Sequence, residues 1–122
     1  MMTSVEANTV VVRRFVEELW NEGRLDVAEE IIHPQPRNPR GSAMWSEGPA
    51  SVARWVAETR QTYPGLRRVI HDIVAEGDRV VLYSSFTSES GIGGMQDYAG
   101  AACFVVEDGK IVEEPWSVWP PR

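Results

Sequence analysis

The change of hydrophobic period at Tyr63-Pro64-Gly65 constrains this chain more than any other feature. Before it, apolar residues recur three and four apart, as on one face of a helix. After it they alternate, as on one face of a strand. Helices first and neighbouring strands last give an α+β class with a mostly antiparallel sheet. At 122 residues the chain fits one domain, residues 1–122, because a domain typically holds roughly 100–200 residues.

Thr3 and Glu6 have capping-box spacing and open a first helix. Val12, Phe15, Val16, Leu19 and Trp20 form its apolar face, and Gly23 is a plausible stop. Val27, Ala28, Ile31 and Ile32 mark a shorter second helix that Pro34 ends. From His33 to Gly48 prolines forbid a long helix, so this stretch is either a surface connection or a lid over a pocket. Met44 and Trp45 favour the pocket, since large apolar groups on a loop need something to cover. Pro49 suits the first turn of a third helix, with Val52, Trp55, Val56 and Thr59 inward. Leu66–Val74 and Arg79–Ser88 then read as strands joined through Glu76-Gly77-Asp78. Tyr98–Val106 and Ile111–Trp119 form a second pair around Asp108-Gly109, a turn that needs positive φ. Phe15, Leu19, Val56, Ile73 and Val81 are the expected core.

Twelve basic against eighteen acidic residues leave a net charge of −6, which argues against sequence-independent nucleic-acid binding or attraction to anionic lipid. No apolar run approaches the roughly 18 residues that span a bilayer, and Arg13-Arg14 interrupts the early run Val10–Val12, so no leader is expected. A cytoplasmic setting follows as the expectation. His33 and His71 lack metal-site spacing, so neither metal nor cofactor is expected. Gly91, Gly93 and Gly94 lack the Lys-Ser/Thr of a phosphate loop and read as a strand connection.

Five Trp, three Tyr and three Phe either pack the sheet against the helices or line an apolar cavity of the kind that holds small organic ligands. Trp116 and Trp119 fall on opposite faces under strict alternation, so one of them, Trp45 or Trp55 is free to serve as a wall. Asp72, Asp97 and Glu114 lie in or beside strands. Each is either solvent-facing or, inside a cavity, shifted by desolvation towards proton transfer near neutral pH. Tyr83 and Tyr98 are hydrogen-bond donors on the same strands. Cys103, in the apolar run Ala101–Val106, reads as a small core residue before it reads as a nucleophile.

Three strings carry a resemblance. Phe15–Asp26, His71–Val81 and Asp108–Glu114 with the following Trp116 resemble the opening helix, central hairpin and last hairpin of SnoaL-like proteins. The resemblance spans nearly the whole chain. It implies the nuclear-transport-factor-2-like fold, a cone-shaped α+β barrel in which a curved sheet wraps the N-terminal helices and leaves a pocket open at one end. Relatives include polyketide cyclases, ketosteroid isomerases, scytalone dehydratase and limonene-type epoxide hydrolases, besides proteins that only bind, so the fold does not fix the function. The cyclase pattern has Trp-Asp in the last strand, where this chain has Trp116-Ser117. Its strand histidine aligns near Cys103, and Pro115 reads as an inserted residue.

The expectation is therefore a cofactor-independent cyclase, isomerase or epoxide-opening hydrolase of specialised metabolism, acting on an apolar small molecule. Asp97 or Asp72 would move the proton, with Tyr98, Tyr83 or His33 as hydrogen-bond partner. Met44, Trp45, Trp55, Phe86, Cys103, Trp116 and Ser117 would line the site. A ligand-binding accessory protein of the same fold is the alternative, followed by a structural interaction module. A homodimer through the sheet is expected in each case.

Overall fold

In the computed structural model, which describes residues 2–121, helix α1 (Ser4–Arg14) starts on Thr3, whose hydroxyl oxygen accepts a hydrogen bond from the Glu6 amide at 3.1 Å. The helix then widens into a π-helical segment, Phe15–Asn21, a geometry often found next to functional sites. Helices α2 (Val27–Ile31) and α3 (Pro49–Thr62) follow, the latter with Pro49 in its first turn. Strands β1 (Arg67–Glu76), β2 (Arg79–Thr87), β3 (Tyr98–Glu107) and β4 (Lys110–Val118) pair antiparallel in sequence order. Asp108 and Gly109 both take positive φ, 51° and 77°, the conformation that a two-residue turn between twisted strands requires.

The cone is not a closed barrel. Among the described residues the sheet runs from β1 to β4 with no pairing between its two ends. The stretch after α2 covers the β4 edge instead: Ile32 bridges Ile111 in parallel, and the Arg37 amide donates to the Val112 carbonyl at 2.7 Å. It then makes one tight helical turn at Ala43–Trp45.

Phe15, Val16 and Leu19 are buried against Val80, Leu82, Ala102 and Phe104 of the inner sheet face. Val56 is buried as expected, whereas Val81 pairs with Cys103 on the outer face and is only half-buried. Ile73 is half-buried against the core.

Three irregularities decide which side chains face inward. In β1 the register slips between Ile70, opposite Ser84, and Asp72, opposite Tyr83, so His71 is an extra residue. In β4 Val106 faces Ile111 and Val105 faces Glu113, which leaves Val112 extra, and Cys103 faces Trp116, which leaves Glu114 and Pro115 together opposite Phe104. Proline has no amide to give a ladder, and a bulge accommodates it. The bulge absorbs Pro115, so Glu114 and Ser117 share the inner face although they are three apart.

Candidate functional site

The inner sheet face, the π-helical segment and α3 enclose a cavity of about 480 Å³, within the range of roughly 300–1,000 Å³ that holds small ligands. Its walls are mostly apolar, with Phe15, Trp20, Phe86 and Trp119 deep inside and Met44 and Trp55 contributed by the loop and α3. Trp119 reaches the inner face because Gly100 has no side chain: a β-carbon there would overlap the indole.

Arg68 is the buried cation of this cavity, with 5% of its surface exposed. Its guanidinium carbon lies 4.8 Å from the Phe86 ring centre and 5.7 Å from those of Phe15, Trp20 and Trp119, an arrangement that aromatic faces favour. Nε donates to the buried Ser84 hydroxyl at 3.1 Å. Burial pulls the Arg68 pKa down to about 10, with Glu114 acting in the opposite sense. The Asn21 side chain fixes the backbone beneath it, accepting from the Arg68 amide at 2.7 Å and donating to the Arg68 carbonyl at 2.8 Å. Arg60 in turn caps the carbonyls of Trp20 and Asn21.

Glu114 is the carboxylate that faces Arg68. Desolvation raises its pKa above the ordinary glutamate value, while a hydrogen bond from Trp45 and the charges of Arg68 and Arg40 work the other way. Trp45 Nε1 donates to Glu114 Oε1 at 3.0 Å, and Trp45 stacks on Phe15 at 6.2 Å. Glu114 and Arg68 form no ion pair within 4.0 Å, and both line the cavity. At the mouth Arg40 donates to the Glu114 carbonyl and the Ser117 hydroxyl at 3.3 and 3.4 Å.

The cavity gathers Tyr98, Met44, Trp55, Phe86 and Ser117 of the residues expected from sequence. Trp45 is buried behind the wall and reaches the site through Glu114. Asp97 is exposed outside, because the pairing of Tyr98 with Phe86 turns Tyr98 inward and its predecessor away. Asp72 is exposed beside the β1 bulge, its carboxylate accepting from the Ile73 amide at 2.9 Å. Tyr83 lies on the outer face against His71. His33 accepts from the Gln35 amide at 2.9 Å on the β4 edge. Cys103 and Trp116, opposite each other in the ladder, border a shallow groove on the outer face. Their strand positions alternate with those of Ala102 and Ser117, which face inward. Arg68 escaped sequence reasoning because Arg67-Arg68 looks like a solvated pair of charges. The signal that marks it is its phase with Ile70 on the inner face.

A family model of the SnoaL-like domain matches residues 12–114. The chain belongs to the SnoaL-like family. Among solved structures this SnoaL-like chain is similar to TsrD from Streptomyces laurentii, with 20% identity and a TM-score of 0.77, covering 97% of this chain and 91% of that one. It is also similar to a protein provisionally named a SnoaL-like polyketide cyclase from Jannaschia sp. CCS1, at 22% identity, TM-score 0.77, and 98% and 90% coverage. A third is an LEH-like epoxide hydrolase of M. tuberculosis, at 18% identity, TM-score 0.72, and 97% and 86% coverage. At these identities the likeness is one of fold. Among curated proteins nothing matches the chain. Among the described residues of this SnoaL-like domain no helix is long and apolar enough to cross a membrane, and no three His, Cys, Asp or Glu side chains gather as metal ligands.

Proposed function

We propose that this protein is a cofactor-independent enzyme of small-molecule metabolism that moves a proton next to a carbonyl, as a cyclase or isomerase does. One observation carries the reading: a desolvated carboxylate and a buried guanidinium border one apolar cavity without pairing to each other. A carboxyl group whose proton affinity is raised works as a base and an acid closer to neutral pH. Glu114 takes a proton from the carbon beside the carbonyl, and the electron pair passes to the carbonyl oxygen, where Arg68 offsets the charge. The carboxyl then returns the proton at another carbon, or the enolate carbon attacks a second carbonyl and closes a ring, and the new alkoxide oxygen takes the proton back from Glu114. The Trp45 N–H orients Glu114, and the aromatic walls exclude water. A cytoplasmic homodimer is the proposed working form.

Exchange of the α-protons of 2-tetralone in deuterated water, followed by NMR, tests this reading. The parent should accelerate exchange over buffer, and Glu114→Gln should lower the rate by about 10²–10⁴-fold. A parent no faster than buffer overturns it. The second reading, a ligand-binding accessory protein, is supported by Ser117 standing where the cyclase pattern has Asp. Under it, 2-tetralone binds without exchange in parent and variant alike.

A further inference from the structure

Gly100 and Trp119 are coupled across the sheet. The β3–β4 ladder pairs Ala102 with Ser117 and Ala101 with Val118, so the next residues along, Gly100 and Trp119, fall opposite each other in the inward phase. Val118 is exposed on the outer face, whereas Trp119 is half-buried and lines the cavity. Its indole lies across β3 at Gly100, where a β-carbon would overlap the ring and come within 2.6 Å of the Val118 carbonyl. Gly100 does not take positive φ, so its backbone alone would accept another residue. Room for the indole is what requires glycine, and a glycine inside a strand often marks such a close approach. The ring is also clamped. It stacks on Tyr98 at 5.2 Å and 24°, and it tilts against Phe86 at 5.4 Å. The Arg68 guanidinium carbon lies 5.7 Å from its centre. The Tyr98 hydroxyl donates to the Pro120 carbonyl at 2.7 Å, which ties down the chain beyond the ring. Trp119 thus fills the space of a fused ring pair on the sheet side of the cavity, over a stretch of β3 that has no side chain of its own.

We infer that Trp119, seated on Gly100, is a specificity-determining residue: its indole closes the sheet side of the cavity, admits compact ring systems and excludes extended fused-ring molecules. A fixed wall sorts by size, because in a close-packed interior a further ring enters only where another group leaves. With the indole gone, the bare backbone of Gly100 and the faces of Tyr98 and Phe86 form a slot for that further ring. The inference deepens the reading above and rests on it for the cavity being the ligand site. Its test reads binding instead of turnover, so a cavity that sorts ligands by size without exchanging protons keeps this inference and removes that reading.

Equilibrium titration of the full chain with 2-acetylnaphthalene and with the larger ketone 1-acetylpyrene reads the limit. Without a size limit the pyrene binds more tightly, because it buries more apolar surface. The parent is expected instead to prefer the naphthalene by about tenfold or more. Trp119→Ala should reverse the order, tightening acetylpyrene by about tenfold or more and leaving acetylnaphthalene within about threefold of the parent. Trp119→Phe, which gives back part of the space, should fall between parent and Trp119→Ala. The inference is overturned if the parent prefers acetylpyrene or binds neither ketone. It is equally overturned if Trp119→Ala weakens both ketones alike, the result expected of a ring that only stacks on the ligand. Should Trp119→Ala fail to fold, the parent's order of affinity and Trp119→Phe decide the matter between them.

Discussion

Arg68 and Glu114 are held by different means, and the difference sets how each responds to pH. Arg68 is anchored through its own backbone by the Asn21 amide and through Nε by Ser84, so its charge is fixed in place before any ligand arrives. Glu114 has one donor, Trp45, and loses water on the remaining sides. Because burial raises its pKa, the folded chain keeps this proton over a pH window in which the unfolded chain has lost it. Its contribution to stability therefore falls as pH rises from the ordinary glutamate value through the raised one. Glu114→Gln removes that dependence. Parent and variant should melt most nearly alike at about pH 4, where the carboxyl is largely protonated in both states, and the variant should melt higher at about pH 8. A variant that melts lower at pH 8 than at pH 4, relative to the parent, would mean that Arg68 and Trp45 outweigh desolvation.

At the scale of elements, the bulges select the site's side chains. Counting alternately from Arg68 and Ile70 turns Asp72 inward, but the extra residue at His71 sends it out and brings Ile73 in. In β4 the absorbed Pro115 keeps Glu114 and Ser117 on one face. Deleting Pro115 should consequently remove the slip opposite Phe104, leaving the one at Val112 and the same residues inward. The shortened chain is expected to fold with a melting temperature close to the parent's and to retain ligand binding, as read by thermal denaturation and calorimetry. Loss of folding would show that the bulge itself supports the sheet. These devices explain what was legible beforehand. Turns and caps at Thr3, Pro49 and Asp108-Gly109 are local chemistry, so the elements could be read from sequence. The phase of β1 and β4 depends on register with a partner strand, which no local pattern specifies. Hence Asp97 and Asp72 stood out in the sequence, while Glu114 was one carboxylate among three and nothing local marked Arg68. Tyr98 was accessible to reasoning, because plain alternation already separates it from Asp97.

The whole molecule has two unlike faces. The inner one is filled by helices and the cavity. The outer one leaves Val69, Val74, Tyr83, Trp116 and Val118 exposed, and contact with a second copy would take these apolar side chains out of water. Sedimentation at micromolar concentration should give a dimer, and Trp116→Glu combined with Val118→Glu should give a monomer that keeps its ligand site. A monomeric parent would leave the outer face unexplained.

The most direct measurement concerns the proton on Glu114. NMR titration of protein labelled at the glutamate side-chain carboxyl carbon, with the Glu114 signal assigned by its loss in Glu114→Gln, reads this group alone. The carboxyl is expected to titrate above the ordinary glutamate range in the free protein, and higher still in Trp45→Phe, where the stabilising N–H is gone. Titration at or below the ordinary value in the parent would mean that Glu114 is an ordinary ionised side chain, and the desolvated carboxylate on which the proposed chemistry depends would not exist.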